Sequence, residues 1–270
     1  MKKTLLIAVM AISTIFAQAQ AWQSNVKFCG VYISSENVND LATLAGVTSG
    51  TITYDYASNT LTLTDVEWTR SSSAIYYFIS SEDTAKPLNV VFNGTNNFDN
   101  NSMQRVIIHS EPDTDVRVVG RSPKLDVVNI KGGNGINMSS SHMTIKNLTL
   151  NFDDNDWTIG GWGPTVRSQL VIDFCNITAH PKNYMFDDLT SFQLIDCAFK
   201  TPADAAYDET QFAVVSEGAK LKDIDVEIEA KATAIPQVHA QKQAGKVIKD
   251  GQLYIERNGE IFNATGARVK

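Results

Sequence analysis

The chain has 270 residues, 43% hydrophobic and 20% charged, with a formal charge of −7 and a pI near 5.1. That balance argues against nucleic acid as a partner, since such binding is driven by basic side chains displacing counterions, and no basic run is present. Three cysteines permit at most one internal disulfide and exclude a cysteine-stapled scaffold.

The N-terminus runs from Lys2-Lys3 through an apolar stretch, Leu5 to Phe16, to the small-residue segment Ala17-Gln18-Ala19-Gln20-Ala21. Basic, apolar and small in that order predicts a signal peptide over residues 1–21, and so export to the periplasm, the outer surface or the medium. The apolar run is too short for an anchor and no second one follows, so no transmembrane segment is expected after cleavage. Cys29 lacks the small residues that a lipoprotein signal places before its cysteine, so lipidation is not expected. The remaining chain of roughly 250 residues is long enough for one large core.

Strand-like openings recur at Leu61, Leu88, Val116, Met143, Leu170, Phe192 and Leu221, 22 to 29 residues apart. Aligned, they read LTLTDVEW, LNVVFNGT, VRVVGRSP, MTIKNLTL, LVIDFCNI, FQLIDCAF and LKDIDVEI. The fourth shows the pattern best. Met143 and Ile145 alternate with polar residues, the beat skips at Lys146-Asn147, and Leu148 and Leu150 resume on the other phase. Its fifth place is Asn147, and the equivalent place holds Asp65, Gly120, Asp196 or Asp225 in four other copies. The second copy carries Asn93-Gly94 just after that place. These residue types visit left-handed backbone angles at low steric cost, so one of them between two period-2 segments turns a corner and shifts the inward face by one position.

A cornered segment that recurs at this spacing predicts a right-handed parallel β-helix of about seven coils over residues 22–230, with rungs about 4.8 Å apart. Solenoids need capped ends, and residues 22–60 and those after Ile228 are the candidates. The alternative is an antiparallel β-sandwich, which also shows short strands with frequent turn signals. Cys175 and Cys197 share the sixth place of their copies, so they point inward on adjacent coils, and free thiols are the preferred reading over a disulfide. Residues 231–245 read as a linker. In residues 246–270, Leu253-Tyr254-Ile255 and Ile261-Phe262 flank Asn258-Gly259, a strong hairpin signal.

GTITYDYASNTLTLTDVEW, Gly50 to Trp68, with its Gly-Thr, Tyr-Asp and Asn-Thr-Leu-Thr-Leu elements, resembles the entry motif of a family of secreted Bacteroidetes proteins. LNVVFNGTNNF, Leu88 to Phe98, is similar to that family's next strand. The resemblance implies a parallel β-helix loosely labelled carbohydrate-binding-like and brings no catalytic motif with it. The last residues, ending Gly266-Ala267-Arg268-Val269-Lys270, resemble short type IX secretion sorting tails.

The stretch richest in chemistry is FDDNDWTIGGWGPT, Phe152 to Thr165, read as a polar loop between coils. Trp157 and Trp162 offer faces on which sugar rings stack, and Asp153, Asp154 and Asp156 accept hydroxyl hydrogen bonds, which makes a glycan platform. The structural alternative folds a tryptophan over a coil end as a lid. The three aspartates do not match the EF-hand pattern, so calcium is a minor option and no other cofactor is indicated. For an enzyme, the available pieces are Asp187-Asp188, Asp173 and Arg167. The four histidines, 109, 142, 180 and 239, have no metal-ligand spacing. These residues predict a secreted or surface binding protein for glycan. The alternatives are an adhesive module that contacts an envelope protein, and a polysaccharide lyase or glycoside hydrolase.

Overall fold

The computed structural model describes residues 21–269 apart from 71–73, 102–105, 232–244, 250–251, 258–259 and 264–267. Residues 1–20 of the expected signal peptide and most of the expected linker therefore lie outside the described residues. The chain divides between Lys231 and Ala232 into two compact units.

The first unit is a parallel β-helix with three walls. Period-2 alternation makes each strand: in Leu88–Asn93, Leu88, Val90 and Phe92 are fully buried and the residues between them face outward. The first wall stacks Thr60–Thr69 by its first half, then Leu88–Asn93, Asp115–Val119, His142–Lys146, Ser168–Asp173 and Leu189–Ile195, all in parallel. Its register runs Leu88, Val116, Met143, Leu170, Phe192, as the aligned copies require. The first copy is displaced by two residues, since Leu61 faces Val90. A two-residue shift keeps the same face inward.

The second wall begins with the second half of Thr60–Thr69, which bends at Asp65, and continues through Thr95–Asp99, Val127–Lys131, Thr149–Asp153 and Asn176–Ala179. The third stacks Tyr77–Ser81, Val106–Ser110, Asn134–Met138 and Trp157–Gly161. Inward side chains from the walls fill one continuous core, in which each fully buried Leu, Ile, Val or Phe contributes on the order of 1.5–3 kcal/mol. Antiparallel strands cover the N-terminal end: Gln23–Phe28 pairs with Tyr77–Ser81, and Val47–Asp55 with Thr60–Thr69.

The corners are where the skipped beat places them. Asp65, Asn147 and Asp196 have φ of 50°, 57° and 49°, and Gly94 has 67°. Asp65 also caps the next coil, its Oδ1 accepting the Thr95 N–H at 2.9 Å. Gly120 stands in the same column but does not adopt the expected left-handed angle; it donates its N–H to the Lys146 carbonyl at 3.0 Å. It is needed for space, because a Cβ there would lie 2.5 Å from Leu148 Cδ2 and 2.7 Å from the Asn147 carbonyl. Phe174 holds the corner of its coil at φ 50°, a position that composition does not reveal because its neighbours alone impose it.

Two expectations fail at the C-terminal end. Leu221 does not open a seventh rung; Val226–Ala230 runs antiparallel between Asn176–Ala179 and Cys197–Thr201. Asp225 is accordingly no corner: its side chain is 85% exposed and its Oδ1 meets His180 Nδ1 at 2.8 Å. Period-2 alternation buries Val226 and Ile228 equally well in either strand direction, so the pattern could not show the reversal. A small antiparallel sheet, Ala206–Asp208, Ala213–Ser216 and Ala219–Lys220, fills the chain between these strands. Cys29, Cys175 and Cys197 are all buried and unpaired, and burial pushes the Cys175 thiol up to about 12.

The second unit is an antiparallel meander of Gly245–Lys249, Gln252–Arg257, Glu260–Asn263 and Arg268–Val269. The expected hairpin is its centre, with Ile255 opposite Phe262, and the flanking strands supply what a two-stranded hairpin lacks.

Candidate functional site

The stretch read as a polar loop contains a strand. Trp157–Gly161 lies in the third wall, with Thr158, Ile159, Gly160 and Gly161 buried. The two glycines let the next coil approach: a Cβ at Gly160 or Gly161 would sit 2.8 or 2.3 Å from the carbonyls of Asp187 and Asp188. Trp157 and Trp162 thus stand at opposite ends of this strand, about 16 Å apart at the extended rise of 3.3 Å per residue. Trp157 meets Tyr184 edge to face at 5.6 Å, whereas Trp162, 43% exposed, lies 6.2 Å from Tyr76 and 5.8 Å from His109. Asp154 adopts φ 58° and holds Lys182 at 2.5 Å, while Asp156 donates its N–H to the Gly133 carbonyl at 2.8 Å. Asp153 ends the second-wall strand and faces outward beside Asn151 and Lys131. The five residues do not converge on one surface.

A different constellation does converge. Each coil passes from the third wall to the first through a short turn, residues 82–87, 111–114, 139–141 and 162–167. These turns stack, and buried serines link them: Ser110 and Ser141 hydroxyls are 2.5 Å apart, and the Ser141 N–H donates to Ser168 Oγ at 3.1 Å. Along this edge lies an open groove of about 530 Å³ lined by Asp83, Asp113, Asp115, His142, Arg167 and Gln169 with the hydroxyls of neighbouring threonines and serines. A smaller pocket of about 190 Å³ shares Asp83 and Lys86 with it and so continues it toward the N-terminal end.

That end carries an aromatic face. Tyr56, 42% exposed, stacks on Trp22 with ring centroids 4.4 Å apart and planes 17° from parallel, and Lys86 Nζ lies 5.5 Å from the Tyr56 centroid. Beneath it, buried Asn59 at φ 50° accepts the Tyr54 hydroxyl at 2.6 Å and donates to Asp83 Oδ2 at 3.3 Å. Asn59 thereby ties the pocket floor to the groove wall, and burial pushes the Tyr54 phenol up to about 12, so it remains a hydroxyl donor.

At the other end, the Arg167 guanidinium lies 3.4 Å over the Phe212 ring, with its Nε buried and unpartnered. Asp115 is similar: Oδ2 receives Arg117 at 3.2 Å, while Oδ1 is buried without a hydrogen bond, 4.0 Å from His142 Nδ1. Close by is the buried acid pair. Asp187 Oδ1 accepts Lys220 Nζ at 2.6 Å and the Asp188 N–H at 2.8 Å. Burial, then the Asp187 charge, raise the Asp188 carboxyl above the usual range, opposed by Lys220 and Arg167. Asp173 stands apart from them, bound to Lys146 at 2.5 Å on the outside of the first wall. Of the residues considered for catalysis, Arg167 and Asp188 are brought together and Asp173 is not.

The groove gathers carboxylates, Asp83, Asp113 and Asp115, toward one end and His142, Arg167 and Gln169 toward the other, a composition suited to hydroxyl groups. Sequence reading missed it because its residues come from turns tens of positions apart, with no local motif. The one available signal was the recurrence of Asp, Ser and Thr just before each first-wall opening. Among the described residues no group of three His, Cys, Asp or Glu is placed to hold a metal ion, and no helix is long and apolar enough to cross a membrane. The chain matches no family model, no curated protein and no solved structure.

Proposed function

We propose that the protein is an exported binding protein that recognises carbohydrate along the edge groove. The observation that carries this reading is the continuity of a polar groove with an exposed Tyr56 face stacked on Trp22, joined through Asp83 and Lys86. Sugars present hydroxyl rows on their edges and C–H faces above and below the ring. Carboxylates, amides and hydroxyls meet the first, and an aromatic face the second. The basic, apolar, small order of the first residues and the resemblance at Gly50 to Trp68 support delivery outside the cytoplasm and a carbohydrate ligand. A glycan array tests the proposal: Tyr56→Ala and Arg167→Ala should each weaken binding about tenfold or more, near 1.4 kcal/mol. Retention of no glycan, or binding unchanged in the double variant, removes the proposal.

The acid pair favours a second reading, cleavage of the bound glycan, in which the sheltered Asp188 carboxyl near Arg167 supplies the proton. Release of reducing ends or unsaturated sugars by the wild type, lost in Asp188→Asn, would establish it. An adhesive module without a sugar ligand is what remains if both tests are negative.

A further inference from the structure

A second row of polar groups runs along the outside of the second wall, away from the edge groove. Strands Thr95–Asp99, Val127–Lys131 and Thr149–Asp153 place Asn97, Asn129 and Asn151 in strict register. Asn151 Nδ2 donates to Asn129 Oδ1 at 2.8 Å, Asn129 Nδ2 to Asn97 Oδ1 at 2.6 Å, and Asn97 Nδ2 to the Glu67 carboxylate. At the far end, Thr178 Oγ1 donates to Asn151 Oδ1 at 2.8 Å. All these bonds point toward Glu67. Each amide spends one N–H within the row and keeps the second, so like donors recur once per rung, about 4.8 Å apart.

Asparagine is disfavoured in strands, and the mutual hydrogen bonds compensate for that. They do not account for the neighbouring column. Asp99, Lys131 and Asp153 stand on successive rungs beside the row, and together they line a depression of about 470 Å³. Lys131 lies between two carboxylates and pairs with neither. On the first wall the equivalent situation is resolved internally, with Lys146 bound to Asp173 of the next rung at 2.5 Å. Asp99 Oδ1 instead accepts the Asn101 N–H at 2.7 Å, so two walls of one solenoid treat stacked opposite charges differently, and the lysine without an ion pair is the one beside a depression.

We propose that this depression is a second binding site for a linear neutral polysaccharide lying along the solenoid axis. The Asn amides would donate to ring and hydroxyl oxygens, Asp153 would accept from hydroxyls, and Lys131 would donate between them. The ligand class rests on the carbohydrate reading of the edge groove; the site does not, because the two share no residue.

The test uses the full chain, titrated with cellohexaose, xylohexaose and hexa-N-acetylchitohexaose, while the side-chain amide resonances of Asn97, Asn129 and Asn151 are followed by NMR. These resonances should shift on addition of at least one hexaose. Lys131→Met, which removes a charge without touching the row, should weaken that response about tenfold. Tyr56→Ala should leave it unchanged. Silent Asn amides with all three sugars overturn the second site, as does a response insensitive to both Lys131→Met and Asn129→Ala. Loss of the response in Tyr56→Ala would assign all binding to the edge groove, overturning the second site and leaving the first reading intact.

Discussion

The regular stack, residues 88–174, and the C-terminal closure, residues 176–231, obey different rules. In the stack, apolar and polar positions repeat in register from coil to coil, and corners fall on Gly94, Asn147 and Phe174. In the closure the second wall takes in an antiparallel strand, and positive φ falls on Phe186, Asp188, Asp196, Phe212, Glu217 and Asp223 without a repeat spacing, whereas in the stack it falls on the corners and on the turn residues Asn101, Asp113, Ser140 and Asp154. Such angles persist in non-glycine residues only where the surroundings impose them. Buried polar groups differ in one respect. Both regions bury a carboxylate against a more exposed base, Asp126 with Arg121 at 2.5 Å in the stack and Asp187 with Lys220 at 2.6 Å in the closure, and the stack also buries His109 in a form that burial keeps neutral, its pKa pushed down to about 4. What distinguishes the closure is a second carboxyl, Asp188, raised by burial and by the charge of the paired Asp187 beside it, and the candidate acid is found there.

Three measurements sharpen or break this contrast. The largest effect is expected from Lys220→Met, which strands the buried Asp187 carboxylate and should cost about 3 kcal/mol in denaturant unfolding. A loss below about 0.5 kcal/mol would show that Asp187 needs no partner. In the stack, His109 has a folded pKa near 4, depressed from 6.5, so the unfolded chain binds its proton first as pH falls. Its contribution is complete above 6.5 and is lost on going down to 4, on the order of 3 kcal/mol. His109→Gln should flatten the pH profile of the melting temperature across that window, and an unaltered profile would contradict the assignment. The smallest effect concerns the corners. Asn147→Ala should cost about 1–2 kcal/mol because alanine resists φ 57°, and Asn147→Gly should recover most of it. Asp225→Ala should change stability by less than about 0.5 kcal/mol. Equal losses at the two positions would restore the seventh corner.

Much of the stack was legible because its signal is local. The phase slip at Asn147 announces a bend, and recurrence near 27 residues places Leu88, Val116, Met143, Leu170 and Phe192 on one ladder. The closure was not legible, since Val226 and Ile228 alternate alike whether their strand runs with its neighbours or against them. The stretch around Trp157 looks like a loop in sequence because its charged and glycine-rich flanks hide a strand of only five residues. The edge groove left almost no trace, because Asp83, Asp115, His142 and Arg167 are separated by 25 to 32 residues and acquire meaning only when coils stack.

The amino-acid order by itself determined the repeat length, the inward face of each first-wall strand and most of the corners. All three follow from interactions within a few residues: alternation against one core, and the low steric cost of left-handed angles at Asn, Asp and Gly. Tertiary structure alone decided the direction of Val226–Ala230, the separation of Trp157 from Trp162, the join between the Tyr56 face and the edge groove, and the placing of Lys131 between two carboxylates beside the asparagine row. Each of these depends on which coil lies next to which, a relation set by burial summed over the whole solenoid.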